Sequence, residues 1–350
     1  MERIYLIRHG HPDFPLGVHM CLGRTDTPLG PLGRMQSVLL GEALREKELR
    51  VWTSPLLRCR ETAAPLGGEA AVVPALAEQD MGPWDGLDFD TIRQRWPELY
   101  ARRGAEPLLV PPGAETLAEV RRRVLPALRR CAEQSEGDLA VVAHASVIQV
   151  ILAELRGVPL EASRSLRPPY GSVSVLRRDG TPEGEALRPC PPLSPALAEQ
   201  LLEAAAPGER AAAHSRAVAA EALRIAAALP LDLDRELLES AALLHDAARA
   251  EKDHARLGAS WLRELGYERA AGLVEQHHEL RGDALDEAAV LYLADKCVRE
   301  DRRVSIRERF AASESRCRTP EALAAHGARL RTALALRDKI NELCGKSLVE

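Results

Sequence analysis

Two short apolar runs stop on a histidine: "RIYLIRHG" ends at His9 and "LAVVAHAS" at His144. A neutral imidazole can act as a nucleophile or donate to an oxyanion, so the placement of the two rings matters. In an open α/β sheet, ligands bind beyond the carboxyl ends of the strands, which would bring both rings to one crevice. Arg8 precedes the first ring, and Gly10 after it permits close backbone approach. The segment "WTSPLLRCRETA" adds Arg58, with Ser54 suited to capping a helix and Pro55 to its first position. Arg58 is then expected about one turn into a helix whose amino end could face an anion. "LAEQDMGPWDG" supplies Glu78 and Asp80 just before a glycine turn, and a carboxyl there could carry a proton. Each feature alone has an ordinary explanation, as a satisfied strand-end polar group, a solvated helix charge or a loop carboxylate. In this order and spacing they describe an anion site with a histidine in it.

A second constellation lies far downstream: His214, the pair His245 and Asp246, His254, the pair His277 and His278, and Asp295. At helical spacing His245 shares a face with Leu238, Ala241 and Ala248, and Asp295 with Leu291 and Val298, so both are expected to point inward. His214 leads an apolar stripe through Val218 and Ile225. An inward carboxylate among inward imidazoles is costly unless it is paired or bound to metal. The competing reading is a set of buried polar residues bonded to one another, which suits a single histidine better than this many. Lys296 follows the aspartate, either reaching for a phosphate or making a surface salt bridge.

These residues need elements to hold them, and 350 residues are enough for two domains. Ile4 to Ile7, Val51 to Thr53, Leu139 to Ala143 and Val173 to Leu176 read as short buried strands separated by amphipathic helical patterns. Such alternation implies an α/β layer fold with helices on both faces of the sheet. Between Asp179 and Pro195 the chain is dense in Gly and Pro, which predicts a turn and then an extended linker. Beyond Pro195 the strand signals vanish; Val218, Ala222, Ile225 and Leu229 form one 3.6-residue stripe closed by Pro230, so the second half is expected to be all-helical. The expected domains are residues 1–190 and 194–350. No internal repeat is present. Net charge is −5 and the pI about 6.1, which excludes a general field for nucleic acid or an anionic membrane and makes any anion binding local. The seven cysteines are scattered without metal or redox spacing, as free thiols in a reducing cytoplasm would be. No apolar stretch is long enough to span a bilayer.

The four segments "LIRHG", "SPLLRCRETA", "LAEQDMGPWDG" and "VVAHASVIQVIL" together resemble the histidine phosphatase superfamily, also called phosphoglycerate mutase-like, over residues 1–178. That resemblance implies an α/β three-layer sandwich in which His9 becomes a phosphohistidine, Arg8 and Arg58 grip the phosphoryl oxygens, and His144 adds a hydrogen bond. Glu78 would protonate the leaving oxygen, and no metal or other cofactor would be needed. "CLGRTDTPLGPLGRMQ", "PPGAETLAEVRRRV" and "LRPPYGSVSVL" look most like the alpha-ribazole phosphatase branch, with Arg24 as a substrate contact. His11 and Pro15 depart from the family, which usually has an acid after the glycine and an asparagine four positions beyond it.

The later stretches "AHSRAVAAEAL", "ESAALLHDAAR", "HARLGASWLRELG", "VEQHHEL" and "VLYLADK" resemble the HD-domain metal-dependent phosphohydrolases over residues 195–310, an all-α helical bundle. By that resemblance His214, His245, Asp246 and Asp295 bind a first metal, and His254, His277 and His278 supply ligands for a second. Iron, manganese or a similar divalent transition metal, one ion or two, would activate water toward a phosphate ester or anhydride. The expectation is a bifunctional cytoplasmic phosphohydrolase acting on small phosphate compounds, with no nucleic-acid or membrane partner; a homodimer is left open. Two alternatives stay open: the HD half as a nucleotide-sensing regulator of the phosphatase, and a mutase that moves phosphate within a sugar acid.

Overall fold

In the computed structural model, which describes residues 2–15, 17–184 and 186–350, the chain divides into two compact units, Met1–Pro191 and Pro192–Glu350. The first runs β1 (Arg3–Arg8), β2 (Met20–Cys21), α1 (Pro31–Leu44), β3 (Leu49–Thr53), α2 (Leu57–Ala63), β4 (Ala71–Val72) and β5 (Leu87–Asp88). It continues through α3 (Phe89–Arg95), α4 (Pro97–Ala105), α5 (Leu117–Glu133), β6 (Asp138–Ala143), α6 (Ala145–Leu155) and β7 (Val173–Arg177). The main sheet has the order β4-β3-β6-β1-β7, parallel throughout except for the antiparallel edge strand β7.

The apolar runs are strands because both of their faces are covered. Ile4 and Leu6 of β1 join Leu139 and Val141 of β6 against Val124 of α5 and Ile148 of α6. Tyr5 and Ile7 point the other way, with Ala140 and Val142, onto Leu40 of α1 and Cys59 of α2. Near-continuous hydrophobicity is therefore what this sheet requires, in place of alternation.

Register then places the chemistry. Arg8 pairs with Ala143 in the parallel β1/β6 ladder, so the next residues, His9 and His144, leave adjacent strands side by side. The His9 amide donates to the Ala143 carbonyl at 3.1 Å. Immediately after, the backbone crosses the first turn of α1: a Cβ built on Gly10 would lie 2.5 Å from the Gly33 carbonyl oxygen, and one on Gly33 would be closer still to the His11 carbonyl. Gly10→Ala should therefore lower the stability of the first unit by about 1–3 kcal/mol, read as a drop in its denaturant midpoint. An unchanged midpoint would show that the strand end can yield.

The stretch expected as a turn and linker is only partly one. Leu187 folds back onto β7, where Val173 and Leu187 exchange backbone hydrogen bonds of 2.8 and 3.0 Å. A sheet edge left open favours such pairing, and Gly/Pro content alone does not reveal it.

The second unit comprises α7 (Pro195–Ala205), α8 (Glu209–Ala228), α9 (Arg235–Leu244), α10 (His254–Glu264), α11 (Glu268–Gln276), α12 (Glu287–Lys296), α13 (Ile306–Glu314) and α14 (Pro320–Cys344). Leu201, Val218, Ile225, Leu238, Leu244 and Leu293 are among its fully buried side chains. It is not wholly helical: β8 (Val298–Arg299) and β9 (Arg302–Arg303) form a small antiparallel hairpin. Two-residue strands in a run of charges carry no hydrophobic period, so the sequence offers no signal for them. Glu300, at φ 56°, turns the hairpin in a left-handed conformation unfavourable for a residue with a Cβ. No helix among the described residues is long and apolar enough to cross a membrane, and no disulfide links cysteines among the described residues.

Candidate active site and candidate metal centre

In the first unit His9 and His144 are buried at the strand ends, their ring centroids 5.1 Å apart. His9 Nδ1 lies 2.7 Å from the Gly10 carbonyl oxygen, which can only accept, so Nδ1 carries the proton and Nε2 keeps its lone pair. Burial first, then the Arg58 and Arg8 charges, push His9 well below the ordinary imidazole value of 6.5. The same causes, with His9 itself, push His144 down. Both rings are thus held neutral, the state a nucleophile requires.

The other sequence-derived residues are brought in unequally. Arg8 donates to the Pro168 carbonyl at 2.7 Å, and its guanidinium carbon sits 3.7 Å from the Tyr170 ring centroid. Burial lowers its pKa to about 10, which leaves it cationic at neutral pH. Glu78 accepts from the Gln79 amide at 2.9 Å and the Ser146 amide, at the start of α6, at 3.4 Å. Arg8, His9, Glu78, Ser146 and Tyr170 all line one cavity of about 350 Å³.

Arg58 is fully buried and in the first turn of α2, not a turn into it; its two terminal nitrogens donate to the Gly23 and Thr25 carbonyls at 2.7 and 2.8 Å. Of the Arg58 guanidinium nitrogens, Nε alone has no hydrogen-bond partner among the described residues. Arg24 is half-exposed and turned to Asp80 and Glu115 at 3.9 and 3.6 Å, and it is not among the residues lining the cavity with His9. His11 packs against Phe14 and Tyr170, its amide held by Gln36 at 2.8 Å.

Ser54 does not cap α2. Its amide still pairs with Val142 of β6, so Ser54 stays extended and the helix begins only at Leu57, with Leu56 at the cap. The hydroxyl instead meets His144 Nε2 at 2.7 Å. Helix-cap preference hid this role, which only the pairing of β3 with β6 creates. Tyr170, in the stretch "RPPYG", had no spacing signal either.

Neutral rings have a consequence for acid stability. Unfolded, His9 and His144 would take up protons near pH 6.5; folded, they do not, so their contribution is present above that pH and is lost as pH falls below it. The melting temperature of the first unit should decline below about pH 6.5, less steeply in His144→Ala. A midpoint that rises with acid would contradict the neutral assignment.

In the second unit seven side chains from five elements converge. His214 projects from α8, His245 caps α9 and precedes Asp246, His254 opens α10, His277 caps α11 and precedes His278, and Asp295 lies in α12. The helix α9 stops at Leu244, so Ala248 is not on its face; His245 faces inward nevertheless, fully buried. Donor atoms gather in three overlapping sets, each within 4.8 Å: His214, His245 and Asp295; His245, Asp246 and His277; His254, His277 and His278.

The protonation pattern fits a metal. Nδ1 of His214, His245 and His277 each faces a backbone carbonyl, of Glu300, Ala242 and Val274, at 2.7–2.8 Å. Each ring therefore turns Nε2 to the centre, the orientation a metal ligand needs; that of His214 meets Asp295 Oδ1 at 3.0 Å, and although burial works against its charge this contact raises the His214 pKa. His245 Nε2, His277 Nε2 and Asp246 Oδ1 are buried without a well-formed hydrogen bond among the described residues, and orphaned acceptors converging on one point call for a cation. His254 Nε2 lies 3.1 Å from Asp246 Oδ1 and 2.9 Å from His278 Nε2. Burial and the nearby Lys296 charge push His278 down to about 3, leaving it neutral.

Lys296 makes no surface salt bridge. It is buried, donating to Asp295 at 2.6 Å and to the His277 carbonyl at 2.9 Å. Burial would raise the Asp295 pKa, but Lys296 and His214 hold it well below the usual carboxylate range.

Residues 4–185 match the family model of the histidine phosphatase superfamily (branch 1), and residues 211–300 match that of the HD domain. The glucosyl-3-phosphoglycerate phosphatase of Mycolicibacterium vanbaalenii is 28% identical over 174 residues, covering 46% of this chain and 77% of its own length. The 6-phosphofructo-2-kinase/fructose-2,6-bisphosphatase of Gallus gallus is 31% identical over 179 residues, 49% of this chain and 37% of that one. Among solved structures, a mycobacterial glucosyl-3-phosphoglycerate phosphatase has a TM-score of 0.46 at 26% identity, covering 50% of this chain and 89% of its own. An Escherichia coli K-12 protein provisionally assigned as an alpha-ribazole-5'-P phosphatase has 0.47 at 25%, covering 53% and 96%.

Proposed function

The chain belongs to the histidine phosphatase superfamily, with an HD domain following, and from that membership we propose that it is a bifunctional phosphohydrolase. The observation that carries the first activity is the neutral His9 with Nδ1 fixed on Gly10, beside Arg8 and Glu78 in one cavity. His9 Nε2 attacks phosphorus as the ester P–O bond breaks, and Glu78 gives its proton to the departing oxygen. Water then attacks the phosphohistidine, Glu78 recovers a proton from it, and inorganic phosphate leaves with His9 restored. Arg8 stays cationic and holds phosphoryl oxygens, while His144, oriented by Ser54, donates as charge develops. Arg58 contributes its charge and Nε from behind the Gly23–Thr25 backbone. The substrate is a small phosphomonoester, with alpha-ribazole 5'-phosphate and related cofactor or nucleotide phosphates as the compounds to test.

The second activity rests on the orphaned donor atoms of the HD unit. His214, His245, Asp246 and Asp295 would hold one divalent ion, iron, manganese or similar, with His254, His277 and His278 available to a second. Such an ion, when bound, supplies Lewis-acid polarisation of a phosphoryl group and of water. The chain's own part is to fix the tautomer and orientation of His214, His245 and His277 through their backbone carbonyl partners and to hold Asp295 by Lys296. Scattered cysteines with no disulfide among the described residues suit a reducing cytoplasm.

A phosphate-release screen of phosphomonoesters, nucleotides and cofactor precursors, run with and without chelator, tests both halves. Chelator-insensitive release of one compound class and chelator-sensitive release of another are expected. Release that is wholly chelator-insensitive would turn the reading to an HD domain that regulates.

A further inference from the structure

Glu78 sits where the chain has no regular structure to hold it: residues 77–80 belong to no helix or strand. Arg123 of α5 spans that segment. Its Nη1 donates to the Ala75 and Ala77 carbonyls at 2.6 and 2.8 Å, and its Nη2 to the Glu78 carbonyl at 3.2 Å. Nε and Nη2 also donate to the two carboxylate oxygens of Glu115, at 2.6 and 2.8 Å. An arginine has five N–H groups, and these bonds use every one, so Arg123 has none left for a substrate. Glu115 ties the far side of the same segment. Its carboxylate accepts from the Asp80 amide at 3.2 Å, its amide donates to the Asp80 carbonyl at 2.8 Å, and its carbonyl accepts from the Gln79 side chain at 2.6 Å. Burial works against the Glu115 charge, yet the Arg123 hydrogen bond holds its carboxyl below the usual range. Both residues come from the stretch "PPGAETLAEVRRRV" at the start of α5.

Resting on the reading of Glu78 as the proton donor, we infer that Arg123 and Glu115 are positioning residues for it, a clasp that fixes the backbone on both sides of Glu78 so that its carboxyl meets the departing oxygen. With that backbone held, the Glu78 side chain keeps only its own torsions, and the Ser146 amide meets its carboxylate at 3.4 Å. Proton transfer depends on such placement, and a shift of about 1 Å costs on the order of 10²-fold. Neither Arg123 nor Glu115 is among the residues lining the cavity with His9, so the clasp acts through Glu78 and not on the substrate. A lysine in place of Arg123 would keep the charge, but a single ammonium group cannot span a carboxylate and three carbonyls.

The test is leaving-group dependence, measured on the full chain in chelator. p-Nitrophenolate departs as an anion and needs little help from an acid, whereas the oxygen of benzyl phosphate, similar in its ring, must be protonated as it leaves. Glu78→Gln sets the scale: the ratio of kcat/KM for p-nitrophenyl phosphate to that for benzyl phosphate should rise by about 10²-fold or more. In Arg123→Lys the ratio should rise by about tenfold or more, and adding that substitution to Glu78→Gln should move it no further. Should circular dichroism show Arg123→Lys unfolded, Glu115→Gln, which keeps the shape, decides instead with the same expectations. General loosening of the first unit would slow both substrates alike. A ratio within about twofold of wild type in the folded variant therefore overturns the inference, as does a further rise in the Glu78→Gln background. If Glu78→Gln itself leaves the ratio unchanged, Glu78 is not the proton donor, and that reading falls together with the inference.

Discussion

With His9 replaced by alanine, no acid-labile phosphoenzyme forms, and chelator-insensitive release from p-nitrophenyl phosphate falls by on the order of 10³-fold or more. The size of the effect follows from what the ring supplies: the bond to phosphorus itself, for which no neighbour substitutes. His144 Nε2 is turned to Ser54, and Arg8 and Arg58 have no lone pair to offer. The substitution also removes a buried neutral ring that costs stability in acid, so the variant should fold at neutral pH. Circular dichroism and the unchanged chelator-sensitive activity of the second unit confirm that loss of rate is chemical. Retention of the activity would mean another group attacks phosphorus.

Asp295→Asn should lower bound transition metal, measured per chain by elemental analysis, by on the order of 10²-fold, and with it any chelator-sensitive hydrolysis. Asp295 faces His214 at 3.0 Å, Lys296 at 2.6 Å and His245 at 3.9 Å, so it joins the ligand set to its one buried ammonium group. Neutralising it strands the Lys296 charge and should cost the second unit about 3–5 kcal/mol. The double variant Asp295→Asn/Lys296→Met removes that charge too. It should recover much of the stability without recovering metal, which separates ligation from folding. Metal content unchanged in a folded Asp295→Asn protein would show that the donor cluster does not bind the ion.

Sequence made the main strands of the first unit legible because a sheet covered on both faces needs continuous apolar runs, and those of β1 and β6 each stop on a histidine. His9, Glu78 and His144 meet because of strand order, which motif order carries. Arg58 is legible as the arginine of its motif, but its partners, the carbonyls of Gly23 and Thr25 more than thirty residues upstream, are not. In the second unit, helical spacing placed the imidazoles inward, yet it could not reveal the Glu300 carbonyl that orients His214, because a hairpin of charged residues has no pattern to read. Likewise Lys296 reads as a surface residue until its burial among acceptors is seen.

The pairing of β1 also fixes when the site can exist. Ile4 bonds with Leu139 on one side and Leu176 on the other, contacts separated by well over a hundred residues. Closing loops of that length comes before any reward from the contacts they make, which slows folding. During synthesis the strand carrying Arg8 emerges long before either neighbour, and until β7 is added one of its edges stays open. His9 is thus made well before the strands that position it, so a nascent chain stalled before Val173 would hold His9 with its sheet incomplete.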